Sequence, residues 1–62
     1  MNLNPKMDRV MTIPEVANYL QISKSKIYYL VQKKKIPHIR IQLNVRIFES
    51  DLEQWLKKNK EE

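Results

Sequence analysis

Two apolar stripes of helical period, on stretches joined by a turn of only three residues, constrain this chain more than any other feature. Ile13, Val16, Ala17 and Leu20 form the first stripe, and Ile27, Leu30 and Val31 form the second. Spacings of three and four residues place each set on one face of a helix. Thr12 and Glu15 stand three apart as a capping box, and Pro14 falls in the first turn, where its missing N–H costs nothing. Ser23 is placed to cap the second helix. Gln21-Ile22-Ser23 is too short to hold structure of its own, so two short helices must meet across a tight turn. Apolar Ile22 is expected to point back between them.

Two helices joined in this way make a helix-turn-helix. The second helix spends only one face on the core. At about 100° per residue, its opposite face centres on Ser25, Tyr29 and Gln32, flanked by Lys24 and Tyr28 on one side and by Lys26 and Lys33 on the other. Basic, hydroxylated and aromatic side chains are those that reach phosphates and base edges. The pattern therefore predicts a DNA-recognition helix. Lys33-Lys34-Lys35 closes it, and cations suit a helix C-terminus whether or not they also touch phosphate. Pro37 forbids continuation and pushes Ile36 towards an extended conformation.

Beyond Pro37 the period changes to two. His38-Ile39-Arg40-Ile41 and Val45-Arg46-Ile47-Phe48 read as a β-hairpin around Gln42-Leu43-Asn44, with Asn44 the residue most tolerant of positive φ. Alternation leaves open which of Ile39, Ile41, Val45 and Ile47 share the inner face. Ser50 and Glu53 suggest a second capping box ahead of a stripe of Leu52, Trp55 and Leu56, with Trp55 expected as the largest core side chain. Residues 1–10 show no period and read as a flexible leader, with a short strand at Val10 and Met11 as the alternative. Residues 11–58 form the domain, and residues 59–62 a frayed tail.

The charge distribution supports the same reading. The chain of 62 residues carries +5 overall, yet the segment from Ser23 to Arg46 holds seven cations and no acid, leaving −2 on the remainder. A cluster of one sign attracts a polyanion. With no Cys, a single His and no Gly, the chain offers no disulfide, no thiolate metal site and no Gly-rich phosphate loop. No cofactor and no catalysis are expected. Asp51 and Glu53 are better explained as helix-start residues than as a catalytic pair, and His38 as a strand residue beside the core. No run approaches the roughly 20 apolar residues that span a bilayer, so a cytoplasmic protein is expected, nucleoid-associated when bound.

From Met11 to Leu56 the segments MTIPEVANYLQIS, SKIYYLV, KKIPHIRI and VRIFESDLEQWL follow one another in an order that resembles the small excisionase-family DNA-binding proteins. These are winged helix-turn-helix proteins of the MerR-like kind. The resemblance implies a mainly α fold with a two-stranded wing and a C-terminal helix, and double-stranded DNA as ligand. It implies that the second helix enters the major groove while the wing touches the adjacent minor groove or backbone. It also implies either an accessory role in site-specific recombination of a mobile element, beside an integrase or recombinase, or the role of a small transcription regulator. Two positions depart from the family pattern. Gln21 stands where the family often has Gly, and Gln42-Leu43-Asn44 replaces a Gly-basic wing tip.

The expected DNA-facing set is Ser23, Lys24, Ser25, Lys26, Tyr28, Tyr29, Gln32, Lys33, Arg40, Leu43 and Arg46. Within it, Ser25, Tyr29 and Gln32 read bases with Lys24 and Lys26 at the helix start. Tyr28, Lys33, Arg40 and Arg46 anchor phosphates, with Lys34 and Lys35 adding charge. Leu43 is either an exposed leucine, a minor-groove wedge or a contact to a neighbouring copy. Lacking a heptad pattern, the chain is expected as a monomer in solution, with neighbouring copies on DNA. The rival of another class is a protein-interaction module whose basic face meets an acidic partner. RNA is disfavoured because no aromatic sheet platform is present for unstacked bases.

Overall fold

The computed structural model describes residues 8–61. The elements run β1 (Val10–Met11), α1 (Ile13–Leu20), α2 (Lys24–Gln32), β2 (Ile39–Ile41), β3 (Asn44–Phe48) and α3 (Glu49–Lys58). This is a winged helix-turn-helix, with one strand more than a bare wing. β1 joins the hairpin in an antiparallel sheet of order β1-β3-β2. Its registers pair Met11 with Ile47, Ile39 with Arg46, and Arg40 with Val45.

The local signals for the two helix starts hold. The Thr12 hydroxyl accepts from the Glu15 backbone N–H at 3.3 Å, and the Glu15 carboxylate accepts from the Thr12 backbone N–H at 2.9 Å. That second bond, with the nearby Arg9 charge, holds the Glu15 carboxyl below its ordinary value. This part of the cap is therefore present above the unfolded carboxyl's titration range and is lost as pH falls through the folded value. Ser23 Oγ accepts from the Lys26 N–H at 3.1 Å.

Both helices stop on left-handed residues that are not glycine, Gln21 at φ 60° and Lys34 at φ 57°. The Ile22 N–H reaches the Ala17 carbonyl and the Lys35 N–H reaches the Leu30 carbonyl, bonds that satisfy otherwise orphan groups at each helix end. A left-handed non-glycine residue costs about 1–2 kcal/mol. Gln21→Gly relieves this but returns about 0.4–1 kcal/mol through the looser unfolded chain. The net expectation is a gain of up to about 1 kcal/mol, seen as a melting temperature raised by roughly 4–8 °C per kcal/mol for a domain near this size. An unchanged or lowered melting temperature would show that the turn carries no strain.

Three expectations are corrected by packing. Ile22 is 39 % exposed. The helices meet through Ile13, Val16 and Ala17 of α1 and Ile27 and Val31 of α2, which leaves Ile22 at the rim. Trp55 is half-buried against the core rather than its largest member, and Leu56 is exposed. Leu52 alone anchors α3 in the interior, while the Trp55 indole N–H bonds the Lys35 carbonyl at 2.8 Å and ties α3 to the end of α2. The expected second capping box is absent. α3 starts at Glu49, and Phe48 caps it without a side-chain bond. The cap comes instead from Asp8, whose carboxylate accepts from the Ser50 N–H at 3.1 Å and from the Ser50 hydroxyl at 2.7 Å. The Arg9 carbonyl accepts from the Glu49 N–H.

Asp8, Arg9 and Val10 of the expected leader belong to the folded unit, because they complete the sheet and the start of α3. The rest of that leader and Glu62 lie outside the described residues. At the other end, Asn59 Nδ2 bonds the Trp55 carbonyl at 2.8 Å.

The wing is tighter than the alternation suggests. Ile41 pairs with Asn44, so only Gln42 and Leu43 form the turn, and the positive φ falls on Gln42 at 56° rather than on Asn44. Directly opposed residues share a face. Val45 and Ile47 therefore face inwards with Met11, while Ile39 and Ile41 share the outer face with Arg46 and Asn44. Ile41 is 55 % exposed. His38 is half-buried, with Nδ1 2.9 Å from the Ile36 carbonyl oxygen, and precedes β2 rather than lying in it.

Candidate nucleic-acid interface

No polar or charged side chain is buried among the described residues, so every candidate stands at the surface. α2 supplies most of them. Ile27 and Val31 bury its inner face, which forces Ser25, Tyr29 and Gln32 outwards. Lys24, Ser25, Lys26, Tyr28, Tyr29, Gln32 and Lys33 are all exposed. Ser23 is exposed as well, but its hydroxyl is committed to the helix cap. The nine residues of α2 span about 13 Å at about 1.5 Å per residue. The helix diameter with side chains, about 10–12 Å, suits a major groove about 12 Å wide.

Tyr29 is held in a bracket of cations. The Lys26 ammonium lies 5.6 Å from its ring centroid and the Lys33 ammonium 5.9 Å. Residues at i−3 and i+4 meet on one helix face, so the two lysine stems flank the ring.

The wing presents its side chains differently from α2. Arg40 pairs with Val45, and Arg46 pairs with Ile39, so the two arginines project from opposite faces of the hairpin. Arg40 is exposed, on the edge strand β2. Arg46 is half-buried and donates from Nη1 to its neighbour's carbonyl, Val45 O, at 2.8 Å. Leu43, at the tip, is 93 % exposed.

Tyr28, Leu43 and Arg46 come together at an open cleft of about 330 Å³ between the start of α1, the side of α2 and the wing. Thr12, Pro14 and Asn44 also line it. None of these three stood in the expected set, because capping and turn chemistry explained each in full. Ser25, Tyr29, Gln32 and Arg40 lie outside this cleft.

A family profile described as a helix-turn-helix domain matches residues 10–60. The chain belongs to the helix-turn-helix domain family. This is a family of DNA-binding domains. No curated protein and no solved structure matches the chain. In this helix-turn-helix domain, α1 and α2 are the motif, and α2 in second place is the helix that such motifs set in the major groove. The match begins at Val10, where β1 begins, so β1 lies within the family's unit. No helix among the described residues is long and apolar enough to cross a membrane.

Proposed function

We propose that this domain binds double-stranded DNA with sequence preference and acts as an excisionase-like accessory factor, bending a recombination site for a partner recombinase. The observation that carries the reading is the wing. Its apolar tip stands clear of the protein, and arginines leave its two faces in opposite directions. A minor groove is about 6 Å wide and bounded by phosphates on both sides. A hairpin entering it tip first brings Leu43 to the base steps and offers one arginine to each strand. Meanwhile α2 lies in the neighbouring major groove, with Ser25, Tyr29 and Gln32 towards the bases. Ser23, Lys24 and Lys26 lie at the start of the helix, and Tyr28 and Lys33 lie against the backbone. Apolar wedges in the minor groove unstack base steps and bend the duplex.

A short labelled duplex is expected to bind at near-physiological salt, and a polyglutamate peptide of similar charge is not. Preference for the peptide would instead make this a protein-interaction module. Genomic neighbourhood decides between the two roles: an integrase gene beside the coding sequence would favour excision, and its absence transcription control.

Leu43→Asn separates the roles of the tip. Leu43 makes little of the core, so folding is expected to be unaffected. A wedge should lose bend angle in a circular-permutation or energy-transfer assay while most of the phosphate-driven affinity remains. Loss of cooperativity on long DNA with an unchanged bend by a single copy would assign Leu43 to a contact between copies. A variant that matches wild type in affinity, bend and cooperativity would leave the tip mechanically silent.

A further inference from the structure

We infer that α2 reads A·T pairs in preference to G·C pairs, with the Gln32 amide on adenine and the Tyr29 ring against a thymine methyl; the inference rests on the duplex-DNA reading above. In the major groove, guanine is read best by a fork of donors, cytosine by a carboxylate, adenine by an Asn or Gln amide, and thymine by apolar or aromatic contact with its methyl. α2 has no arginine, and no acid occurs anywhere from Ser23 to Arg46. The helix thus lacks the fork for guanine and the acceptor for cytosine. At the centre of its outward face stand the Gln32 amide, the Tyr29 ring and the Ser25 hydroxyl, and of these the hydroxyl alone suits any base.

The bracket around Tyr29 engages two of the competitors, each by about 0.5–1 kcal/mol at an exposed site. Lysine is a compact point charge without the planar fork of arginine. Two of the helix lysines, Lys26 and Lys33, already hold their ammonium groups over the Tyr29 ring. Their remaining N–H donors stay free for phosphate oxygens. Tyr29 as a whole residue remains 44 % exposed. Lys24, at the first turn, is the cation of α2 that still competes for guanine. Tyr29 and Gln32 stand three residues apart, about 5–6 Å between Cβ atoms. Against a rise of about 3.4 Å per base, that spacing addresses two base pairs one or two steps apart.

The test begins with selection from a random duplex library by the full chain, then replaces single bases in the selected site. The expected core is A·T-rich. Exchanging thymine for uracil, which removes only the methyl, should weaken wild type about four-fold, the value of one buried methyl group. Tyr29→Ala should erase that difference, and Tyr29→Phe should keep it. Gln32→Ala should relax an adenine preference of about 5- to 150-fold. Inosine·cytosine pairs keep the major-groove edge of G·C but lose its minor-groove amine. They should be rejected as G·C is. Acceptance of inosine·cytosine as if it were A·T would place the preference in the minor groove and overturn the inference. So would a G·C-rich selected core, or equal uracil effects in wild type and Tyr29→Ala. Those results leave duplex binding standing. Failure to bind any duplex overturns the duplex reading and this inference together.

Discussion

Ile27→Ala is expected to cost about 2–5 kcal/mol, the usual range for emptying a fully buried aliphatic site. A chain of this length is held by roughly 3–9 kcal/mol in all, at roughly 0.05–0.15 kcal/mol per residue. The substitution therefore removes a large share of the stability, and the variant should be partly or wholly unfolded at 37 °C. Ile27 has no exposed surface and is the inward anchor of α2. Tyr29, two residues on, faces the other way and is half-exposed. Tyr29→Ala should change stability by no more than about 0.5 kcal/mol, as surface substitutions do, and should act on DNA binding alone. Denaturant melts of the two variants check the division of α2 into a structural and a reading face. Equal losses from both would show that Tyr29 is a packing residue and that the division is wrong.

The second large effect belongs to the wing. Arg40→Ala with Arg46→Ala should weaken binding to every duplex alike, because phosphate contacts carry no sequence information. A hydrogen bond to a charged group contributes about 1.5–3 kcal/mol. Two of them together correspond to a loss of roughly a hundred-fold or more. Since the arginines leave opposite faces of the hairpin, each single variant should cost about half of the double, in free energy, with little coupling. Anisotropy titrations of wild type, both singles and the double complete the cycle. If one arginine alone carries the whole effect, the wing lies flat on one strand and does not enter the groove.

The parts of the fold legible in the sequence are those set by near neighbours. Thr12 and Ser23 cap the helices they precede, Glu15 closes the first cap from within α1, and the apolar stripes of α1 and α2 face inwards, because capping and helical period act over three or four residues. The cap of α3 was illegible for the opposite reason. Ser50 and Glu53 have the right spacing, but Asp8 comes from 42 residues away and occupies the site first. β1 is legible only as an alternative to a flexible leader, since two residues have no period. Once β1 pairs with β3, it fixes Val45 and Ile47 as the inner face, a choice that alternation within the hairpin could not make. The left-handed residue of the wing is Gln42 because Asn44 is held in the ladder opposite Ile41.

The candidate site divides along the same line. The outward set on α2 follows from helical geometry and was readable. That Arg40 and Arg46 diverge, and that Tyr28, Leu43 and Arg46 share a cleft with Thr12 and Pro14, depends on strand register and on the approach of the wing to α1. Neither is written in any short stretch of sequence.

The salt dependence of duplex affinity tests the central claim most directly. If the basic half of the domain lies along a DNA backbone, log affinity must fall linearly with log salt, at about −0.9 per phosphate neutralised. Lys26, Lys33, Lys34, Lys35, Arg40 and Arg46 are the cations placed for backbone contact, so a slope of about −5 is expected between roughly 50 and 200 mM salt. A slope near zero, or no measurable duplex binding across that range, would contradict the claim that this face is built for DNA.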